Sequence, residues 1–198
     1  MLVSRSGDTY HHGSLKPALE DAAFELLRTT GHTDLSLREV ARTAGVSHNA
    51  PYHHFGDRTA LLKRLSERSM SELLDALLAA QANADPEHSA RAHLVALGTA
   101  YVRYAAEYPE RFRVIYDPTV CVPGAPSAEM APLISAVEKI LMHATKAISP
   151  SASDTTLVAL TTGVWGAVHG LAELVIAGHI TPKQAEPALV ALFDPSRI

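Results

Sequence analysis

Residues 35–62 read LSLREVARTAGVSHNAPYHHFGDRTALL, and this stretch decides the fold. Ser36-Leu37-Arg38-Glu39 is an S-x-x-E capping box, in which serine and glutamate satisfy orphan amides at a helix start. Leu37, Val40, Ala41 and Ala44 recur at three-to-four spacing and give that helix an inward face. Gly45 permits a left-handed turn. Ser47 is expected to cap a second helix running to about Phe55, with Val46, Ala50 and Phe55 turned inward. Pro51 then falls at the fourth helical position, where it removes at most one hydrogen bond. Ser47, His48, Asn49, Tyr52, His53 and His54 are left facing outward. Two short helices joined by a glycine turn, the second offering polar donors, have the layout of a helix-turn-helix.

The outward residues suit DNA. Hydroxyls, imidazoles and cations are the donors that phosphates require. Asn49 and His48, short side chains near the start of the second helix, suit base edges in the major groove. Tyr52 and His54 lie where a phosphate strand would pass. Arg58, in the first turn of the next helix, and Ser36, at the start of the first, are placed to reach the flanking backbone. A capped, glycine-jointed helix pair is also a common packing unit without DNA. The clustering of outward polar residues favours the DNA reading.

Working outward, nearly every segment reads as helix. Leu15, Leu19, Ala22, Ala23, Leu26 and Leu27 form an apolar stripe, with Gly31 as C-cap. Asp57 caps a long helix carrying Leu61, Leu62, Leu65, Leu73 and Leu77 on one side. Asp85-Pro86 starts another, ending near Glu107 before Pro109. A short helix spans 110–116 and a Pro/Gly loop spans 117–126. Further helices are expected near 131–148 and 153–177. Thr181-Pro182-Lys183-Gln184 starts a last helix, which Pro187 should kink or restart. No segment alternates as strands do. The expectation is an all-α chain with a helix-turn-helix domain over 1–60 and a larger helical domain over 61–198.

Composition bounds the function. The 198 residues are 47% hydrophobic, enough for a sizeable core, and the net charge of −4 excludes a wholly basic nucleic-acid binder. The charge is uneven, with nine Lys/Arg against eight Asp/Glu over residues 1–68, and eight against thirteen over 69–198. That sign suits a DNA-facing head on an acidic body. The single cysteine, Cys121, allows no internal disulfide and fits a reducing cytoplasm; an inert thiol is the bland reading of it. The first residues carry no apolar signal-peptide core. The richest apolar run, 157–180, is interrupted by Thr, Gly, His and Glu and is not expected to span a membrane.

The head resembles the TetR family of bacterial transcriptional regulators. The resemblance is collinear over about residues 10–68 and rests on LKPALEDAAFELLRTTG, LSLREVARTAGVS and YHHFGDRTALL. It implies phosphate contacts by Ser47, Tyr52, His54 and Arg58, the last where lysine is commoner. It implies variable base or backbone contacts by His48, Asn49 and His53. The segment with Arg5, His11 and His12 resembles the arms that some members lay along DNA. Trp165 to Leu171, reading WGAVHGL, resembles the Trp…His-Gly signature of one C-terminal subclass, and Ala50-Pro51-Tyr52 fits that subclass too. The resemblance implies a homodimeric regulator, usually a repressor, released by a small ligand.

In the C-terminal half, Ala159, Gly163, Gly166 and Gly170 share one helix face. Each helical glycine costs about 1 kcal/mol relative to alanine, so three ask for a packing reason. A two-fold interface built with Ala188, Leu189 and Leu192 of the last helix is one, and intrachain contact is the other. Tyr101, Tyr104, Phe112, Tyr116, Met142, Trp165 and His169 are candidates for an apolar or aromatic effector pocket, although each is also an ordinary core residue type. No Cys/His/carboxylate spacing suggests a metal, and no cofactor is expected.

The leading reading is a cytoplasmic, non-enzymatic, homodimeric repressor of palindromic operators, released by an unidentified effector. The alternative is a small-molecule-binding helical protein or enzyme with a vestigial head, with His169 as its acid/base residue. That reading finds no G-x-S-x-G elbow or phosphate loop to support it. An activator or architectural DNA binder would share the same head.

Overall fold

A computed structural model describes residues 15–30, 35–85 and 89–193. Among them every regular element is a helix: α1 (Leu15–Thr30), α2 (Leu37–Thr43), α3 (Ala50–Phe55), α4 (Arg58–Ala82), α5 (Ala90–Glu107), α6 (Pro109–Ile115), α7 (Met130–Ile148), α8 (Asp154–Ile176) and α9 (Pro182–Phe193). The all-α expectation holds. The chain divides into two compact units between Leu62 and Lys63, two residues beyond the expected boundary, and α4 runs across the division. Gly31, Pro86, Arg5, His11 and His12 lie outside the described residues.

In the first unit, Leu19, Ala23 and Leu27 of α1 pack over Leu37, Val40 and Ala41 of α2, all buried. α3 closes the bundle with Ala50, Pro51 and Phe55.

In the second unit α5 is central and packs against α6, α7, α8 and α9. Gly98 makes this possible. A Cβ there would lie 3.2 Å from both terminal methyls of Leu189 and 3.3 Å from Val168, so any larger residue would require those side chains to give by a few tenths of an ångström. Leu189 is therefore fully buried in its own chain. This corrects its expected place at a subunit interface.

Three further expectations shift. α5 starts at Ala90, not after Asp85-Pro86, because the Ser89 hydroxyl accepts the Ala92 amide at 3.2 Å. α9 is one helix through Pro187, so the proline does not restart it. The Thr181 amide and hydroxyl both donate to the Gln184 side chain at 2.9 Å, which fixes the start of α9. Finally, α8 is long and apolar enough, by length and composition alone, to pass for a membrane span, despite the threonines and glycines that lower its mean hydropathy. Here α8 packs against α5, α7 and α9.

Candidate nucleic-acid interface

The turn that aims α3 is set by backbone chemistry. Gly45 adopts φ 69°, the Val46 amide donates to the Ala41 carbonyl at 3.0 Å, and the Gly45 amide donates to the Arg42 carbonyl at 3.2 Å. This pair of bonds is a Schellman closure of α2, which needs a residue in the left-handed region. At the other end of α2 the serine half of the capping box forms as read, while the Glu39 carboxylate takes the Ser36 hydroxyl in place of the Ser36 amide. The Glu39 amide donates to the Ser36 hydroxyl at 3.2 Å, and that hydroxyl donates to the Glu39 carboxylate at 3.1 Å. Both ends of α2 are thus fixed locally.

α3 begins two residues later than expected. Asn49, not Ser47, is its N-cap residue, and it makes no side-chain cap bond. The Ser47 carbonyl instead accepts the Ala50 amide at 3.0 Å within the turn. Pro51 therefore sits at the second helical position, not the fourth. Its missing amide is an orphan there anyway, and its ring is buried in the bundle. Gly56, at φ 77°, ends the helix, and Asp57 caps α4 by accepting the Ala60 amide at 2.8 Å.

This geometry leaves Ser47, His48, Asn49, Tyr52, His53 and His54 all exposed, on the side of α3 away from Ala50, Pro51 and Phe55. Arg58 is partly buried, and its Nε–H donates to the Leu35 carbonyl at 2.9 Å. Ser36 is half-buried and engaged in its cap. One residue was missed in the sequence reading. Arg38, on the exposed side of α2, lines a shallow hollow with His48, Asn49 and Tyr52. Its place between inward Leu37 and Val40 was the available signal.

The second unit brings five of the seven expected pocket residues together. The Tyr101 and Tyr116 hydroxyls are 2.6 Å apart, and the Tyr101 hydroxyl lies 2.9 Å from His169 Nδ1. Phe112 stacks on His169 at 5.4 Å between ring centroids, and Trp165 lies 5.9 Å from the same ring. Burial raises the pKa of both tyrosines, and it lowers that of His169 against the opposing pull of Glu173. The cluster is packed on itself, and the cavity that Tyr101 and Trp165 help line holds only about 50 Å³. Tyr104 is not part of it. Its hydroxyl donates to the Ser69 carbonyl at 3.0 Å, beside the Glu72–Arg111 ion pair. Met142 is exposed on α7.

The exposed α8 face contains Ala159, Gly163, Gly166 and Gly170, and a Cβ on any of the three glycines would meet nothing within 4 Å. Leu192 is 58% exposed and Trp165 45%. Among the described residues no group of three or more His, Cys, Asp or Glu is placed to hold a metal. Cys121 is a half-buried free thiol.

Comparison with known proteins agrees with this architecture. Residues 19–65 match the family described as bacterial regulatory proteins, tetR family, and residues 94–194 match the tetracyclin repressor-like C-terminal domain. No curated protein matches the chain. A solved protein of unknown function from Rhodococcus sp. RHA1 is 30% identical, with 96% of each chain covered and a TM-score of 0.80. A TetR-like transcriptional regulator from the same organism is 19% identical over 92% of this chain and 95% of that one, with a TM-score of 0.69. The transcriptional regulator FadR from Bacillus subtilis, solved in complex with stearoyl-CoA, is 13% identical over 90% and 97%, with a TM-score of 0.68. A helix-turn-helix head on a larger helical body defines a DNA-binding transcriptional regulator. The chain belongs to the TetR family of such regulators.

Proposed function

We propose that this regulator is a non-enzymatic, cytoplasmic homodimer that represses transcription from palindromic operators and is released by a small-molecule effector. The observation that carries the DNA-binding surface is the exposed set of Ser47, His48, Asn49, Tyr52, His53 and His54, interrupted only by buried Ala50 and Pro51, on a head whose other side is buried. Tyr52, His54, Ser47 and Arg58 hold phosphates, with Ser36 flanking. His48, Asn49 and His53 face bases.

Dimerisation is supported by α8. In its most apolar 18-residue window only 22% of residues are buried, and its glycine face is empty. An apolar helix left so open in a single chain calls for cover. A second copy supplies it through Ala159, Gly163, Gly166, Gly170 and Leu192, and pairing also spaces two heads for a two-fold operator. Release requires an effector that binds the non-DNA conformation more tightly, since equal affinity shifts nothing. A protein of similar fold, FadR from Bacillus subtilis, was solved in complex with stearoyl-CoA, which supports a small-molecule effector for this architecture.

The test is to select bound fragments from genomic DNA, then titrate the recovered sequence by fluorescence anisotropy across a salt series. Sequence-selective binding with a steep salt slope and two chains per fragment is expected. Salt-independent binding, or a strictly monomeric protein at the concentrations that bind, would overturn the reading.

A further inference from the structure

A small cavity in the second unit holds a thiol and a hydroxyl that the DNA-binding surface does not use. It measures about 100 Å³, room for roughly three waters or one small organic molecule. Its lining joins Lys63, Ser66 and Glu67 of α4 to Cys121, Ser127 and Met130. The wall opposite α4 is fastened at both ends. The Cys121 amide donates to the Asp117 carbonyl at 2.8 Å, and the Ser127 hydroxyl donates to the Glu67 carboxylate at 2.8 Å. Cys121, the only cysteine of the chain, is a half-buried free thiol in that wall. Lys63 and Val122, also in the lining, are exposed, so solvent reaches the cavity.

Ser66 is the unusual member of this lining. It is 1% exposed, and its hydroxyl has no hydrogen-bond partner. A helical serine commonly donates to the carbonyl four residues back, and a buried hydroxyl left without a partner is destabilising. The Ser66 O–H is therefore a donor in reserve at the cavity. Its neighbour Glu67 is not in reserve, since it accepts from Ser127 and lies 3.9 Å from Arg64. The rest of the lining includes the apolar side chains of Val120, Ala125 and Met130. A nucleophilic sulfur, an unused donor and apolar walls suit one kind of small molecule: a short carbon skeleton with an electrophilic carbon and an oxygen acceptor. A peroxide would leave the apolar walls and most of the volume without a role.

We propose that Cys121 is a covalent capture site for small α,β-unsaturated carbonyl compounds, with the Ser66 hydroxyl donating to the carbonyl oxygen. The thiol releases its proton to water, because the thiolate is the nucleophile. The sulfur pair forms a bond to the β-carbon, the C=C π pair moves toward the α-carbon, and the carbonyl oxygen takes up the negative charge. Ser66 stabilises that developing oxyanion. The α-carbon then takes a proton from water and the carbonyl is restored, so the product is a saturated thioether and no oxidant or reductant is needed. Ser66 lies on α4, the helix that runs on from the head. A regulatory effect of the adduct rests on the function proposed above; formation of the adduct does not.

The test treats the full chain, without DNA, with methyl vinyl ketone and follows the adduct by intact mass and peptide mapping. One adduct per chain should form at Cys121, at a rate that saturates with ketone concentration and exceeds that of N-acetylcysteine. Allyl bromide, of similar size but without an oxygen acceptor, is the control electrophile. Ser66→Ala should stay folded, because it removes a buried hydroxyl that bonds nothing. It should slow the ketone by about tenfold, as loss of a hydrogen bond to a charged acceptor does, and leave the bromide rate unchanged. Cys121→Ala should abolish the adduct. The proposal is overturned if the ketone reacts no faster than with N-acetylcysteine, if the adduct falls on another residue, or if Ser66→Ala affects both electrophiles equally or neither. Operator binding of the unmodified and modified protein is scored separately, so failure of the capture site and failure of the repressor reading remain distinct results.

Discussion

Arg58 carries two tasks that a pair of substitutions can separate. Its Nε–H holds the Leu35 carbonyl at 2.9 Å, tying the start of α4 to the residue before the α2 cap. Its charge is proposed to neutralise one phosphate per protomer. A hydrogen bond from a charged donor contributes about 1.5–3 kcal/mol, and partial exposure here places the expected loss near the lower end. Each neutralised phosphate contributes about 0.9 to the slope of log affinity against log salt, so two protomers contribute about 1.8. Between 50 and 200 mM salt that slope amounts to a roughly twelvefold change in affinity. Arg58→Gln should lose the slope and the tie together. Arg58→Lys should keep the slope but lose the tie, because an ammonium lacks the planar, fixed-direction N–H that donates to Leu35. Anisotropy titrations over a salt series read the first quantity, and thermal melting reads the second. An unchanged salt slope in folded Arg58→Gln, or equal loss of slope in both variants, would refute the assignment.

Ser36→Ala removes the hydroxyl that accepts the Glu39 amide, and should cost about 1 kcal/mol in urea unfolding, as N-cap losses do. A Cβ at Gly166 meets nothing within 4 Å in its own chain and arginine improves helix propensity, so Gly166→Arg should stay folded and sediment as a monomer. A folded dimer would remove α8 from the interface. Trp165 is the only tryptophan and lies 5.9 Å from His169, so its fluorescence reports that imidazole. Burial depresses the His169 pKa, so protonation should fall below the ordinary value of about 6.5 and disappear in His169→Gln. Stability linked to this group is full above about pH 6.5 and is lost as pH falls through the lower folded value.

Local chemistry was legible in the sequence, and long-range packing was not. The Ser36 N-cap of α2, the Gly45 turn and the Asp57 cap each involve residues within a few positions, and each formed as read. The start of α3 was misplaced because Ser47 and Asn49 are both good cap residues two positions apart. The choice went to the backbone, with the Ser47 carbonyl spent in the turn. Leu189 and Leu192 are one turn apart in α9 and were read onto the same outer face. Only Gly98, in another helix, decides that Leu189 goes inward. Tyr101 and Tyr104 are likewise one turn apart on α5. The first meets α8 and α6, and the second meets Ser69 and Glu72 on α4, a division that no window of sequence reveals.

The glycines of the second unit sharpen the case for a second copy. Gly98 and the three glycines of α8 all sit inside helices, where each costs about 1 kcal/mol relative to alanine. Gly98 recovers that cost within the chain, because Leu189 and Val168 occupy the space its side chain would take. Gly163, Gly166 and Gly170 recover nothing, since no atom comes within 4 Å of a Cβ there. The same substitution should therefore act differently at the two places. Gly98→Ala presses on the Leu189 and Val168 methyls, so it should gain less stability than alanine propensity alone supplies, and should lose stability where those side chains cannot give. Gly163→Ala should stabilise the isolated chain by up to about 1 kcal/mol while weakening association. If Gly163→Ala instead left association unchanged, close approach at that point of α8 would not be what the glycine serves.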